Sequence, residues 1–312
     1  MDKFLLIIGA GRSGTTLLQS MLNAHPEIVF PPESHFLRKY VIPEVKGRAP
    51  RFETFDDLAA MLQNDSHLRR LGIDVREALE PFMRRHKVFS YRELFIYYLK
   101  LYAKRFSKSI VGEKDPSNTG YIKEIHKAFP KAYVIHIFRD PRDVILSRMK
   151  TDWGGKAHFI NHIKNYKDSI DKAFNDGPLL FGNRYIEICY ENLINEPKKE
   201  LEILCDKIGI SSHDDMLEFH EKSHEIVSAE EMQWKQNVFK PILKDNVQKW
   251  KKALSRWQIL AIEGFCWQAF AHGNYPHSQL GGGLARQVCA LPVYGYAYIS
   301  RLKRAIYHLG AR

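Results

Sequence analysis

The chain has 312 residues, enough for one large domain or two small ones with a substantial core. With 45% hydrophobic and 27% charged residues it has an ordinary globular composition, and no run approaches the ~20 apolar residues of a membrane span. The net charge of +11 points to an anionic ligand or surface, but no zinc-finger, homeodomain or RNA-recognition pattern accompanies it, so nucleic acid is not the expected partner.

Phe4–Gly9 (FLLIIG) is a continuous apolar run, the pattern of a parallel strand buried on both faces. Thr15–Ala24 reads as a helix and His25–Pro32 as a turn-rich exit from it. Residues 40–108 read as a charged, mainly helical insertion. There Ser90 and Glu93 form a capping box, and Leu94, Tyr98, Leu101 and Tyr102 follow at helical spacing, with the tyrosines expected in the core. Ser109–Gly112 reads as a short strand, Ser117–Ala128 as a helix and Ala132–Phe138 as a second buried strand. Pro141 opens a helix to Lys150, Arg184–Tyr190 forms a further strand, and Pro197 starts another helix. This alternation predicts a doubly wound α/β fold, with a central parallel sheet flanked by helices. Residues 1–277 are expected to form one domain. Residues 278–312 form a basic, aromatic tail, expected to pack on that domain rather than lie on a membrane.

Ligands of such sheets gather at the carboxyl ends of the strands, and the motifs fall there. Gly9 and Gly14 have the spacing of a phosphate loop of the form G-x-x-x-x-G-K-[ST], with Thr16 at the hydroxyl position. The lysine that reaches the β- and γ-phosphates in phosphoryl transfer is replaced by Thr15, which disfavours nucleoside-triphosphate hydrolysis. Gly11, Arg12, Ser13, Gly14, Thr15 and Thr16 still offer successive N–H donors, hydroxyls, a helix N-terminus and a guanidinium fork for an anion. Arg139 ends the second buried strand, and Ser147 lies about two helical turns further on. A second phosphate on the ligand would account for both. Arg142 and Arg148 read as the charged outer face of that helix. Cys189, Cys205, Cys266 and Cys289 form no C-x-x-C pair and no metal-spaced cluster, so free thiols and no metal are expected.

These two stretches resemble the sulfotransferases that use 3′-phosphoadenosine 5′-phosphosulfate (PAPS) and release 3′-phosphoadenosine 5′-phosphate (PAP). "GAGRSGTTLLQSMLNAHPEI" is especially similar to the branch holding tyrosylprotein sulfotransferases and many bacterial sulfotransferases. The resemblance implies a P-loop-like fold whose first loop holds the 5′-phosphosulfate, with Arg139 and Ser147 holding the 3′-phosphate and no metal required. In "PPESHFL", Glu33 matches the family's catalytic glutamate. In "EKDP", Lys114 matches a lysine that assists catalysis. Tyr190 of "CYENLINEP" matches a tyrosine near the nucleotide, and Lys240 and Lys249 of "VFKPILKDNVQKW" match a segment that closes over the cofactor. The matches keep their order across residues 4–250. Lys235 stands about where the tyrosine-modifying branch often has serine.

On this reading Arg12 and Lys114 stabilise charge growing on the leaving phosphate and the sulfuryl oxygens, and Glu33 removes the acceptor's proton. His35 is the competing base, since its unperturbed pKa lies near 6.5. The acceptor is expected to be a carbohydrate or small-molecule alcohol. The strand that begins just after Asp2, with no signal segment, reads as a cytoplasmic enzyme. The alternatives are a P-loop kinase-like nucleotide transferase, for which Asp140 would be the metal-binding acid, and a non-catalytic binder of anionic glycans.

Overall fold

The computed structural model describes residues 3–151, 155, 158–221 and 239–310. Five parallel strands form one sheet in the order β2-β3-β1-β4-β5: β1 (Phe4–Ile8), β2 (Ile28–Val29), β3 (Ile110–Lys114), β4 (Tyr133–Phe138) and β5 (Tyr185–Cys189). Helix α1 (Thr15–Ala24) follows β1. The insertion is helical, with α2 (Phe55–Gln63), α3 (Val75–Arg85) and α4 (Tyr91–Arg105), and the Ser90–Glu93 capping box opens α4. Further on lie α5 (Ile122–Ala128), α6 (Pro141–Met149), α7 (Phe159–Phe181), α8 (Tyr190–Asn195) and α9 (Pro197–Ile208). The C-terminal layer includes α10 (Arg256–Phe265) and α11 (Gly283–Gly310).

The two-residue period of β1 separates two cores. Phe4, Leu6 and Ile8 face the insertion, where they join Phe36, Phe95 and Tyr98. Leu5 and Ile7 face α1, through Leu18, Met21 and Leu22. Both faces are covered, which explains why this strand is an unbroken apolar run and why β4 is apolar apart from the buried His136, whose Nδ1 meets Tyr185 Oη (2.8 Å).

Two segments differ from expectation. The turn-rich exit after α1 contains β2, which pairs with β3 through Ile28↔Ile110 and Val29↔Val111. A two-residue edge strand is too short to show any alternation. The expected helix from Ser117 to Ala128 splits into a 3-10 segment, Pro116–Tyr121, followed by α5. The side chain of Asp115 accepts from Ser117 N (2.9 Å) and the Thr119 hydroxyl reaches Pro116 O (2.8 Å), which holds the tighter turn.

A third core joins α6 and α7 to the C-terminal layer, and Arg142 lies inside it. The expectation that Arg142 sits on an outer, charged face is overturned: it is 1% exposed. Its Nη2 donates to Asp140 Oδ2 (2.8 Å) and to Pro276 O (3.1 Å), and its Nη1 donates to Glu263 Oε1 (2.8 Å). The guanidinium stacks 3.8 Å from the Trp250 ring centre and 4.8 Å from that of Phe270. Arg148 is half-buried, and burial lowers its pKa.

Helix α11 packs against α10 through Ala290, Val293 and Ala297, and Arg286 Nε donates to Glu263 Oε2 (3.1 Å). The two backbones approach so closely that a Cβ at Gly264 would lie 2.3 Å from Arg286 O. No helix among the described residues is long and apolar enough to cross a membrane.

Replacing Arg142 with leucine takes the side-chain cation from buried Asp140 and one of two cations from buried Glu263, which keeps Arg286. Arg142→Leu is expected to cost roughly 3–5 kcal/mol of stability, read from urea unfolding followed by tryptophan fluorescence.

Candidate functional site

The loop between β1 and α1 is set by its backbone. Gly14 has φ +98°, the left-handed region, and a Cβ there would lie 2.4 Å from the Tyr190 ring. Arg12 also has positive φ, 78°, which is uncommon for a residue with a side chain. Gly14 supplies no side-chain cap to α1, and the helix has no acidic residue in its first turn. The N–H groups at Thr15 and Thr16 therefore face outward without a carboxylate to satisfy them. Ser13 is fully buried, and its Oγ has no partner among the described residues. Gly11 lies at the open side of the turn, with nothing within 4 Å of where a Cβ would stand.

The second stretch meets this loop. Arg12 Nε donates to Ser147 Oγ (3.1 Å) on α6. Arg139 Nη1 donates to Arg12 O (3.4 Å), and Nη2 donates to Asn246 O (2.5 Å). The Arg139 guanidinium lies 4.3 Å from the Tyr190 ring centre, and Asn246 Nδ2 donates to Tyr190 Oη (2.8 Å). Arg139 Nε is buried without a partner among the described residues. Burial, with the Arg139 charge beside it, lowers the pKa of Arg12. Asp143 Oδ2 lies 3.9 Å from Arg139 Nη2, so the two arginines with this one carboxylate leave an excess of positive charge beside the loop, which would suit an anion.

The segment from residue 239 to 250 is strapped onto this pocket. Asp143 of α6 accepts from Gln248 N (2.6 Å) and from Trp250 N (3.0 Å). Trp250 is a buried anchor stacked on Arg142. Lys240 and Lys249 lie on the same strap with exposed side chains. Lys235 lies outside the described residues.

A second group of side chains sits at the ends of β2 and β3. Lys114, the last residue of β3, has a fully buried side chain whose Nζ donates to Glu33 Oε1. His35 Nδ1 lies 2.6 Å from Asp115 Oδ2, with Arg38 3.7 Å from the same oxygen. Burial alone would raise the Asp115 pKa, but the hydrogen bond and charge of His35 hold it below the usual carboxylate range. Glu113 points the other way into the core. Burial, reinforced by the Asp115 and Glu33 charges, pushes its pKa well above the ordinary value. Oxygen and nitrogen atoms of Glu33, His35 and Asp115 lie within 4.8 Å of one another, a spacing that would suit a cation. Lys114 and Arg38 already provide positive charge to these carboxylates.

The two groups share a backbone joint. Gly9 N–H donates to Thr119 Oγ1 (2.8 Å), so the segment after Lys114 grips the start of the anion loop. Thr119, Asp143 and Asn246 were not singled out by the sequence. Asn246 had a signal, its place between Lys240 and Lys249 in the strap, whereas Thr119 and Asp143 are short polar residues that become informative only through partners distant in the chain.

The sequence profile of the sulfotransferase family matches residues 5–215. An uncharacterized protein of Aquifex aeolicus is 26% identical over 263 residues, covering 80% of this chain and 30% of its own length. The omega-hydroxy-beta-dihydromenaquinone-9 sulfotransferase Stf3 of Mycobacterium bovis is 24% identical over 250 residues, covering 67% of this chain. The match spans 63% of Stf3, so this chain covers less than two thirds of either relative. Among solved structures, the sulfotransferase domain of the Synechococcus PCC 7002 olefin synthase superposes with TM-score 0.63 at 19% identity, covering 88% of this chain and 95% of that domain. The sulfotransferase domain from the curacin biosynthetic pathway gives 0.61 at 18%, covering 89% and 99%. These two likenesses are of fold, and they carry the P-loop-like arrangement of sheet and first loop. With two thirds of its length under the family profile, the chain belongs to the sulfotransferase family.

Proposed function

We propose that this protein is a PAPS-dependent sulfotransferase that moves a sulfuryl group to an acceptor hydroxyl. The observation that carries the reading is the meeting of Arg12 and Ser147, 135 residues apart, with Arg139 braced against the same loop. Two anion-holding stretches at one strand edge suit a ligand with phosphates at both ends. The residues fit such a ligand: Ser13 Oγ and Arg139 Nε are buried donors without partners among the described residues, and the first turn of α1 has no side-chain cap. Tyr190 offers a ring beside Arg139 for a nucleoside to pack against.

When bound, PAPS supplies the sulfuryl group and the phosphate that leaves with PAP. Ser13, Gly14, Thr15 and Thr16 hold the phosphosulfate through N–H and hydroxyl donors, and Arg12 adds its fork. Arg139 and Ser147 hold the distal phosphate, with Lys240 and Lys249 adding charge from the strap. Lys114, a buried cation paired with Glu33, would offset negative charge growing where the bond breaks. Glu33, its partner, takes the acceptor's proton. His35 has its Nδ1 committed to Asp115, which favours an orienting task for it. The acceptor is a small-molecule or carbohydrate alcohol. Stf3, named for a hydroxylated dihydromenaquinone, supports the small-molecule side of that pair.

The kinase-like alternative needs a free acid for a metal ion. Asp140 instead has both carboxylate oxygens engaged by Arg142. The reading therefore predicts that calorimetric titration finds PAP bound more tightly than ADP, with no dependence on Mg²⁺. ATP preference with Mg²⁺ would replace it with nucleotide transfer.

Arg139→Ala removes charged hydrogen bonds and is expected to weaken PAP binding about 10- to 100-fold in the same titration. Glu33→Gln is expected to leave PAP affinity nearly unchanged and to lower the transfer rate by roughly 10²–10⁴-fold in single-turnover assays. Full activity in Glu33→Gln, with loss in His35→Ala, would assign the base to His35.

A further inference from the structure

Helix α11 has 28 residues, about 42 Å of helix, and among the side chains described it packs one face against the body of the protein. Arg286, Ala290, Val293 and Ala297 make that face. Opposite it runs a second apolar stripe. Leu284, Val288, Leu291, Gly295, Tyr298 and Leu302 succeed one another at intervals of four and three residues, which keeps them on one side of the helix. The large members are exposed, Leu284 by 76% and Leu291 by 62%. A helix that needed only to pack on α10 would carry polar residues here.

The charge on α11 selects the occupant. The helix contains no aspartate or glutamate, while Arg301 and Lys303 are exposed and flank Leu302 on either side. A second copy laid along this stripe would bring two wholly cationic helices together, with no acidic residue on either to pair across the seam. An anionic lipid surface meets both features: the apolar stripe enters the acyl boundary while Arg301 and Lys303 reach the headgroups. The geometry points to α11 as an interfacial anchor that lies on anionic membranes through the Leu284–Leu302 stripe. The anchor is independent of the sulfuryl-transfer reading, since none of its residues belongs to the loop, the strap or the Glu33–Lys114 pair.

Co-sedimentation of the full chain with phosphatidylcholine vesicles, with and without phosphatidylglycerol, tests this. Binding is expected with phosphatidylglycerol, falling at high salt as surface charge is screened. Two double variants, Leu291→Asp with Leu302→Asp and Arg301→Glu with Lys303→Glu, are each expected to weaken binding by about tenfold or more. Their thermal unfolding midpoints should match wild type, because the altered side chains are exposed. Failure to bind phosphatidylglycerol vesicles would overturn the proposal, as would wild-type binding by either variant. A dimer in light scattering that Leu291→Asp with Leu302→Asp dissociates would instead assign the stripe to a second copy.

Discussion

Arg142 holds the architecture around the pocket together. Its guanidinium satisfies Asp140 at the end of β4, Glu263 in α10 and the carbonyl of Pro276, and it is closed in by Trp250 and Phe270. One side chain therefore binds the central sheet, the strap and the C-terminal layer. A buried cation among carboxylates is a poor source of net stability compared with apolar packing, but it tolerates only one arrangement of its partners. That selectivity serves the neighbouring residue, Asp143, whose carboxylate fixes the strap by the backbone at Gln248 and Trp250.

The strand edge has two compartments. One, built from Arg12, Arg139, Ser147 and Tyr190, brings two guanidinium groups to a single loop. The other holds two side-chain pairs, Lys114 with Glu33 and His35 with Asp115. The strand register makes them neighbours, because Ile7 of β1 stands opposite Lys114 of β3 and the two connecting segments leave the sheet side by side. Thr119 then joins them by a hydrogen bond rather than by packing. The positions of the two compartments follow from the sheet, and their electrostatic characters follow from which side chains lie at the strand ends.

The parts of the fold visible in the sequence are those whose physics is local. The apolar run Phe4–Gly9 and the run Ala132–Phe138, broken only by His136, announce strands covered on both faces, and Ser90 with Glu93 announces a helix start. The two-residue β2 has no local signature. Arg142 reads as a surface charge because its partners Trp250, Glu263 and Phe270 lie more than a hundred residues away. The anion loop was legible from its glycines and hydroxyls, whereas the placing of Ser147 beside Arg12 depends on two strands lying adjacent in the sheet. For α11 the sequence shows a basic aromatic helix with apolar residues on more than one side. Which side is consumed by packing becomes evident only once α10 is placed against it.

The left-handed backbone of Arg12 has an entropic consequence. A side-chain-bearing residue at φ 78° is held there at a cost of order 1 kcal/mol, and the Arg139 bond to its carbonyl and the Ser147 bond to its side chain maintain it. The loop is thereby shaped during folding rather than on encounter. On the proposed reading an anion would meet donors that already converge, so little chain entropy would remain to be lost on binding.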